Sequence, residues 1–186
     1  SLASKMAPDV ATVDQFLIEL AEHARAPAEK EIAELKAIAA QDGITELQPW
    51  DTTFYSEKLK VQQFNLSQED LKPYFPAPKI IQGLFSIVNR LYGINVIERE
   101  APVWHPDARY FEREDQGSVI GGFYFDLYAR SGKRGGAWMS GFRSRMQTEN
   151  GLQKPICYIV CNFTPPVGEQ AALLTHDEVT TLFHEF

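Results

Sequence analysis

The chain has 186 residues, 44% of them hydrophobic and 23% charged, which is typical of a globular protein with one or two modest cores. Its formal net charge of −7 argues against nucleic acid or an anionic membrane as a partner, because both require a basic surface. No apolar run approaches the roughly 18 residues that cross a bilayer, so we expect no membrane partner and a soluble, cytoplasmic protein.

Residues 9–92 have the pattern of helices. Asp9 can cap a first helix, in which Pro27 either introduces a kink or opens a second segment that ends at Gly43. Apolar residues at helical spacing predict its buried stripes, namely Val10, Val13, Phe16, Leu17, Leu20, Ala24, Ile32, Leu35, Ile38 and Ala39.

Three shorter helices are predicted to follow. Asp51 is placed to cap one that runs to Phe64, and Pro73 cuts the next one short. The third is framed by Pro78 in its first turn and by Gly93 just past its end.

After Gly93 the periodicity changes from helical to strand-like. Four segments alternate in polarity or are rich in β-branched and aromatic residues, namely residues 94–96, 108–113, 119–130 and 156–163. They predict a small, largely antiparallel sheet. Helices, then a sheet, then a final helix indicate an α+β fold that is mostly helical.

The final helix, residues 175–186, carries a clear start signal. Thr175 and Glu178 form the sequence pattern of a capping box, in which each side chain binds a free backbone N–H. The predicted buried stripe consists of Val179, Leu182, Phe183 and Phe186. At about 100° per residue, His184 and Glu185 are expected on the opposite side of the helix.

Cys157 and Cys161 are the only cysteines. On one strand they share a face but lie about 13 Å apart, too far for a disulfide or a shared metal ion. We therefore expect two free, buried thiols in a reducing compartment.

Two short motifs have contexts that argue against a function. Residues 132–136 (GKRGG) resemble a phosphate-binding loop, but neither a Ser or Thr nor a helix follows, so a turn between strands is favoured. Residues 105–107 (HPD) form the tripeptide of J-domain co-chaperones, but strand-like segments flank them, so a surface turn is favoured.

The adjacent His184 and Glu185 allow two interpretations. On a polar helix face such a pair is usually solvated. The alternative is the beginning of His-Glu-x-x-His, in which two imidazoles bind zinc and the glutamate acts as general base. The sequence supplies the first three positions, which fits the motif without deciding between the two.

Nine stretches occur in an order and at a spacing that are together highly specific. They are residues 1–7 (SLASKMA), 46–51 (ELQPWD), 55–58 (YSEK), 71–76 (LKPYFP), 103–107 (VWHPD), 125–130 (FDLYAR), 132–139 (GKRGGAWM), 161–163 (CNF) and 175–186 (THDEVTTLFHEF). Through them the chain resembles the thimet oligopeptidase family of zinc metallopeptidases over nearly its whole length.

The resemblance implies a larger, mostly helical protein with a deep substrate channel. Residues 1–186 would then be a partial catalytic domain, with a helical part (1–93), a sheet part (94–166), and a loop and the start of the zinc-binding helix (167–186). The partners implied are short peptide substrates and the C-terminal remainder of the same polypeptide, which would carry the second histidine and a glutamate as further zinc ligands.

The resemblance also assigns roles to residues. It implies a Zn²⁺ cofactor, with His184 as first ligand and Glu185 as general base for peptide hydrolysis. In zincins an extended substrate lies along a sheet edge beside the metal helix. By that analogy the candidate edge is Gly135, Gly136, Ala137 and Trp138.

A single protein ligand cannot hold zinc in a site that needs three, so the 186 residues alone are expected to be catalytically inactive. We also expect self-association or marginal stability, because apolar faces would remain exposed. The alternative to a peptidase is a non-catalytic helical binding or scaffold module in which His184 and Glu185 are only solvated.

Overall fold

The computed structural model describes residues 5–186, which form two compact units, the first ending at Ser67 and the second spanning Gln68–Phe186. Residues 1–4, which belong to the first of the nine stretches, lie outside the described residues. The expected α+β class is confirmed. The division at residues 93 and 166 follows the kind of secondary structure and stays a prediction.

The first unit is helical. Its elements are α1 (Val10–Gln41), a 3-10 turn (Pro49–Asp51) and α2 (Thr52–Phe64). The Asp9 carboxylate caps α1 by accepting from the backbone N–H of Thr12 at 2.7 Å, as predicted. Pro27 lies inside a continuous helix, so of the two alternatives at this proline the second segment was wrong.

Asp51 does not cap α2 with its side chain. Its carboxylate instead accepts from the backbone N–H of Gln48 at 3.0 Å, which fixes the preceding 3-10 turn. The capping prediction was therefore wrong, because the helical backbone already begins before Asp51.

The core of the first unit is small. Leu35, Ile38 and Ala39 of α1 are buried together with Tyr55 of α2. The predicted stripe in the N-terminal half of α1 is exposed, with Val10 75% and Phe16 62% accessible. That part of the prediction was wrong, since the buried cluster involves only the C-terminal part of α1.

The second unit begins with three helical segments, α3 (Gln68–Leu71), a 3-10 turn (Lys72–Tyr74) and α4 (Ala77–Tyr92). The helix α4 starts after Pro76 and ends at Gly93, whose φ of 72° is the left-handed conformation that closes a helix. Ile81 and Leu84 of α4 are buried.

Seven strands and α5 (His176–Glu185) complete the second unit. The strands are β1 (Asn95–Arg99), β2 (Arg109–Asp115), β3 (Ser118–Tyr128), β4 (Trp138–Arg143), β5 (Met146–Thr148), β6 (Gly151–Gln153) and β7 (Ile156–Phe163). Five form a sheet in the order β1-β2-β3-β7-β4, in which only the β3–β7 pair is parallel, and β5 and β6 form a separate hairpin.

The strand β4 was not predicted. All of its residues except Trp138 are exposed, so it shows no alternation of buried and solvated positions. Its strand character comes from antiparallel pairing with β7, which a local pattern cannot reveal.

The two faces of the five-stranded sheet differ. One face packs against α4 and α5 through Phe111, Phe123 and Phe125, each at most 2% exposed. The other face carries an aromatic group in which the Trp104, Tyr124 and Tyr158 rings lie 5.3–5.5 Å apart. Within residues 5–186, no helix has both the length and the apolar character needed to cross a membrane.

Candidate active site

The start of α5 is fixed by the predicted capping box. The Thr175 hydroxyl accepts from the N–H of Glu178 at 3.1 Å, and the Glu178 carboxylate accepts from the N–H of Thr175 at 2.8 Å. The second Glu178 oxygen accepts from the N–H of Thr164 at 3.2 Å. One carboxylate therefore links the start of α5 to the chain that leaves β7.

The segment before α5 is tied to the start of α4. The N–H of Leu174 donates to the Phe75 carbonyl at 2.9 Å, and the N–H of Ala77 donates to the Ala172 carbonyl at 2.8 Å. Leu174 itself is fully buried. These bonds connect residues almost a hundred positions apart, so the position of α5 depends on tertiary structure.

The buried stripe of α5 is centred on Leu182, which is fully buried. Phe186 packs among core aromatic rings and lies 5.4 Å from the Phe123 ring. Phe183 is 39% exposed, so its place in the predicted stripe was wrong. At about 100° per residue it lies a quarter-turn or more from Leu182, whereas Glu185 lies only about 60° away.

His184 and Glu185 differ in exposure. His184 is exposed, as predicted, but Glu185 is half-buried at the border of the packed stripe. The placement of both residues on the far side of α5 is therefore correct for His184 and wrong for Glu185. His184 therefore faces outward next to a residue that is half-buried.

The described residues do not by themselves make a zinc site. Among residues 5–186, no group of three or more His, Cys, Asp or Glu side chains is placed to hold a metal ion. The imidazole of His184 is a suitable zinc donor, but a catalytic zinc requires three protein ligands. His184 can therefore be one member of a donor set and not the whole of it.

The two thiols are free, as predicted, but only Cys161 is fully buried. Cys157 is half-buried and Cys161 fully buried, and neither forms a disulfide. Burial, with a smaller contribution from the negative charge of Glu185, raises the pKa of Cys161 to about 12. The thiol is therefore protonated at neutral pH.

The candidate substrate segment leads into an edge strand. Gly135 and Gly136 lie in the exposed loop after β3, Ala137 is half-buried, and Trp138 is the first residue of β4. In the sheet formed by residues 5–186, β4 is the terminal strand and pairs with β7 alone. The helix α5 contacts the same strand β7, so the free edge and the His184–Glu185 turn flank one strand.

A buried polar cluster under this loop had no predicted role. Asp126 of β3 is 3% exposed and accepts two bonds from the Arg130 guanidinium, at 2.6 and 2.8 Å. It also accepts from the Lys133 ammonium and from the Trp104 indole, each at 2.9 Å. The sequence signals were an aspartate among aromatic residues and the position of these residues in three of the nine ordered stretches.

The ionisation of Asp126 is strongly favoured by these contacts. Burial opposes it and is the largest single influence on the pKa. The hydrogen bonds from Arg130, Lys133 and Trp104 together outweigh burial, so the pKa lies well below its ordinary value. Asp126 is therefore a structural anion at neutral pH.

Comparison with known proteins identifies the family. The sequence profile described as Peptidase family M3 matches residues 1–186. The chain belongs to this family.

Named members of the family are similar over the whole chain. Oligopeptidase A of Escherichia coli (strain K12) is 53% identical over 190 residues, covering 100% of this chain and 28% of that protein. An organellar oligopeptidase A of Arabidopsis thaliana is 42% identical, and saccharolysin of Saccharomyces cerevisiae is 31% identical. The chain spans 28% or less of the length of these three relatives.

Proposed function

We propose that this chain is part of a zinc-dependent peptidase that hydrolyses internal bonds of short peptides. The observation that carries this proposal is the family M3 match over the whole chain. The local geometry supports it, since adjacent His184 and Glu185 occupy the last turn of a helix whose start is fixed by a complete capping box.

In this proposal His184 contributes a neutral imidazole nitrogen to a donor set completed by the rest of the longer protein. Zn²⁺ bound there supplies Lewis-acid chemistry, which polarises a carbonyl and lowers the pKa of water. Glu185 accepts the proton of the attacking water and transfers it to the leaving amine. Glu185 is half-buried and adjacent to His184, so its carboxylate is one residue away from the proposed metal ligand.

The free edge of β4 is proposed to align the substrate. An extended peptide can add to such an edge by backbone hydrogen bonds, which give affinity with little dependence on side chains. Trp138 begins this edge and Gly135, Gly136 and Ala137 lead into it, which supports their proposed role as the substrate-binding segment. The two free thiols agree with a reducing compartment, and on that ground we propose a cytoplasmic location.

The experiment is Glu185→Gln in the full-length protein, with Glu149→Gln in the exposed β5–β6 turn as the matched control. Loss of a general base lowers kcat by about 100-fold or more, and bound zinc is expected to remain. Cleavage of a short peptide within tenfold of the wild type would show that Glu185 is not the base.

The substitution His184→Ala distinguishes the peptidase from the second candidate function, a non-catalytic binding module. If His184 is a zinc ligand, its replacement causes loss of bound metal and of peptide cleavage. Unchanged metal content, together with no cleavage by the wild type, would instead favour a solvated pair in a binding module. The 186 residues alone are proposed to be inactive, and tight one-to-one zinc binding in calorimetry would contradict this.

A further inference from the structure

The loop between β3 and β4, residues 129–137, is held by a side chain from β7. The Asn162 amide nitrogen donates to the Arg134 carbonyl at 2.8 Å and to the Gly136 carbonyl at 2.7 Å. An amide NH₂ has two hydrogens, and this loop engages both of them. Both partners are carbonyl oxygens, so the nitrogen of the amide must face the loop.

A second anchor holds the beginning of the same loop. The Lys133 ammonium donates to the Asp126 carboxylate at 2.9 Å, to the Asp126 carbonyl at 2.9 Å and to the Tyr128 carbonyl at 2.7 Å. All three of its hydrogens are used, and the side chain is only 5% exposed. Lys133 therefore acts as a buried fastening of the loop to the end of β3.

Two glycines of this loop adopt the left-handed conformation, Gly132 at φ 75° just before Lys133 and Gly136 at φ 94°, whose carbonyl Asn162 binds. A glycine chain has wide conformational freedom, so this path needs fixing from outside. Asn162 fixes it directly before β4 begins. Trp138 then pairs with Val160, two residues before Asn162 on β7.

The strand β4 depends on this fixing more than the inner strands do. It has one hydrogen-bonded neighbour, and five of its six residues are exposed, so packing contributes little to its register. A one-residue slip would exchange the backbone groups that point to β7 for those that point outward. The outward groups are the ones that an added peptide must pair with.

We propose that Asn162 is a positioning residue for substrate: by holding the Arg134 and Gly136 carbonyls, its amide sets the register of the β4 edge with which a peptide backbone pairs. This inference rests on the proposed function. Lys133 supports the same loop from its other end, but only the Asn162 contacts reach the residues immediately before β4.

The test uses the full-length protein with Asn162→Asp, which keeps the size of the side chain. It replaces both donors by an oxygen that repels the two carbonyls. The control is Asn95→Asp, which makes the same amide-to-carboxylate change. There the Asn95 oxygen already accepts from the Asn89 amide at 2.9 Å, so that bond is kept.

Each enzyme is assayed on a short peptide and on a set of its analogues, each with one N-methylated backbone amide. Methylation removes one donor to the edge, and one such bond changes kcat/KM about two- to tenfold. The wild type and Asn95→Asp are expected to discriminate against methylation at one or more positions. In Asn162→Asp that discrimination falls below about twofold and KM for the unmodified peptide rises about tenfold, while bound zinc and kcat change little.

The possible outcomes test the positioning role of Asn162 and the proposed peptidase function separately. Discrimination by Asn162→Asp equal to that of the wild type would overturn the positioning role, as would a wild type that cleaves all analogues equally well. In both cases cleavage itself would leave the proposed function standing. A wild type that cleaves no peptide would remove the proposed function and this inference together. If Asn162→Asp fails to fold, Asn162→Ala removes both donated bonds without adding charge and is judged by the same ratio.

Discussion

The buried carboxylate of Asp126 offers a sharp test of how this sheet is stabilised. Asp126→Asn preserves the shape of the side chain and removes its charge. The asparagine retains one acceptor oxygen and turns an NH₂ group towards donors. Lys133, which is 5% exposed, then loses its counter-charge in a place that water hardly reaches.

The expected loss of stability in Asp126→Asn follows from comparing the loss of hydrogen bonds with the loss of a charge partner. Loss of about two neutral hydrogen bonds would lower the free energy of unfolding by about 1–3 kcal/mol. Leaving a buried charge without its partner lowers it by about 3–5 kcal/mol. Both side chains of the Asp126–Lys133 pair are 5% exposed, so the larger value is expected.

The matched control is Glu98→Gln. Glu98 also accepts two bonds from one guanidinium, that of Arg109, at 2.7 and 2.6 Å. Its side chain is 50% exposed, and exposed pairs contribute about 0–1 kcal/mol. Both substitutions therefore neutralise a carboxylate bound by two hydrogen bonds to one guanidinium, and the two sites differ mainly in burial.

The assay is urea unfolding followed by tryptophan fluorescence. Trp50, which is in the first unit, is replaced by Phe so that the signal comes from Trp104 and Trp138 in the second. With a slope of about 1–3 kcal/mol per molar urea, Asp126→Asn moves the midpoint down by about 2 M. Free energies of unfolding of Asp126→Asn and Glu98→Gln that agree within about 0.5 kcal/mol would refute the reasoning.

The same substitution should change the response to acid. The folded pKa of Asp126 is depressed, so its contribution is complete above the unfolded value of about 3.9 and is lost as the pH falls through the folded pKa. The difference in free energy of unfolding between the wild type and Asp126→Asn should therefore be constant from about pH 5 to about pH 7. It should shrink below about pH 4. A difference that grows on acidification would contradict the assignment of Asp126 as a stabilising anion.

Two further predictions concern α5 and β7. Thr175→Ala removes the acceptor of the capping box and should lower the free energy of unfolding by about 1 kcal/mol. The control Thr175→Ser retains the hydroxyl. Equal urea midpoints for the two variants would show that the cap does not stabilise the protein. Cys161 should resist alkylation by iodoacetamide in the folded protein, because its pKa is raised to about 12, and should react after unfolding in urea. Mass spectrometry of alkylated peptides measures this, and modification of Cys161 as fast as in the unfolded chain would contradict its burial.

Several elements of this fold could be predicted because their signals are local. The capping box of Thr175 and Glu178 and the frame of Pro78 and Gly93 rest on side chains or backbone conformations within a few residues. The strand β7 was predicted with its observed bounds, because a buried strand is apolar along its whole length.

Other elements escaped prediction because their cause lies far away in the sequence. The edge strand β4 has no apolar pattern and exists through its pairing with β7. The N-terminal stripe of α1 has the periodicity of a buried face and yet is exposed, because periodicity identifies an apolar face without identifying its partner.

For the candidate site, the sequence by itself determined the helix of residues 175–186, the adjacent His184 and Glu185, and, through nine ordered stretches, the family. Tertiary structure decided that Glu185 borders the packed stripe while His184 faces outward, because the rotation of a helix is set by what it packs against. It also decided that Asn162 of β7 binds the loop before β4, across 26 and 28 residues. These contacts form only when folding brings the two backbone carbonyls to the Asn162 amide. A local sequence pattern cannot predict them, because the contacting residues are far apart in the sequence.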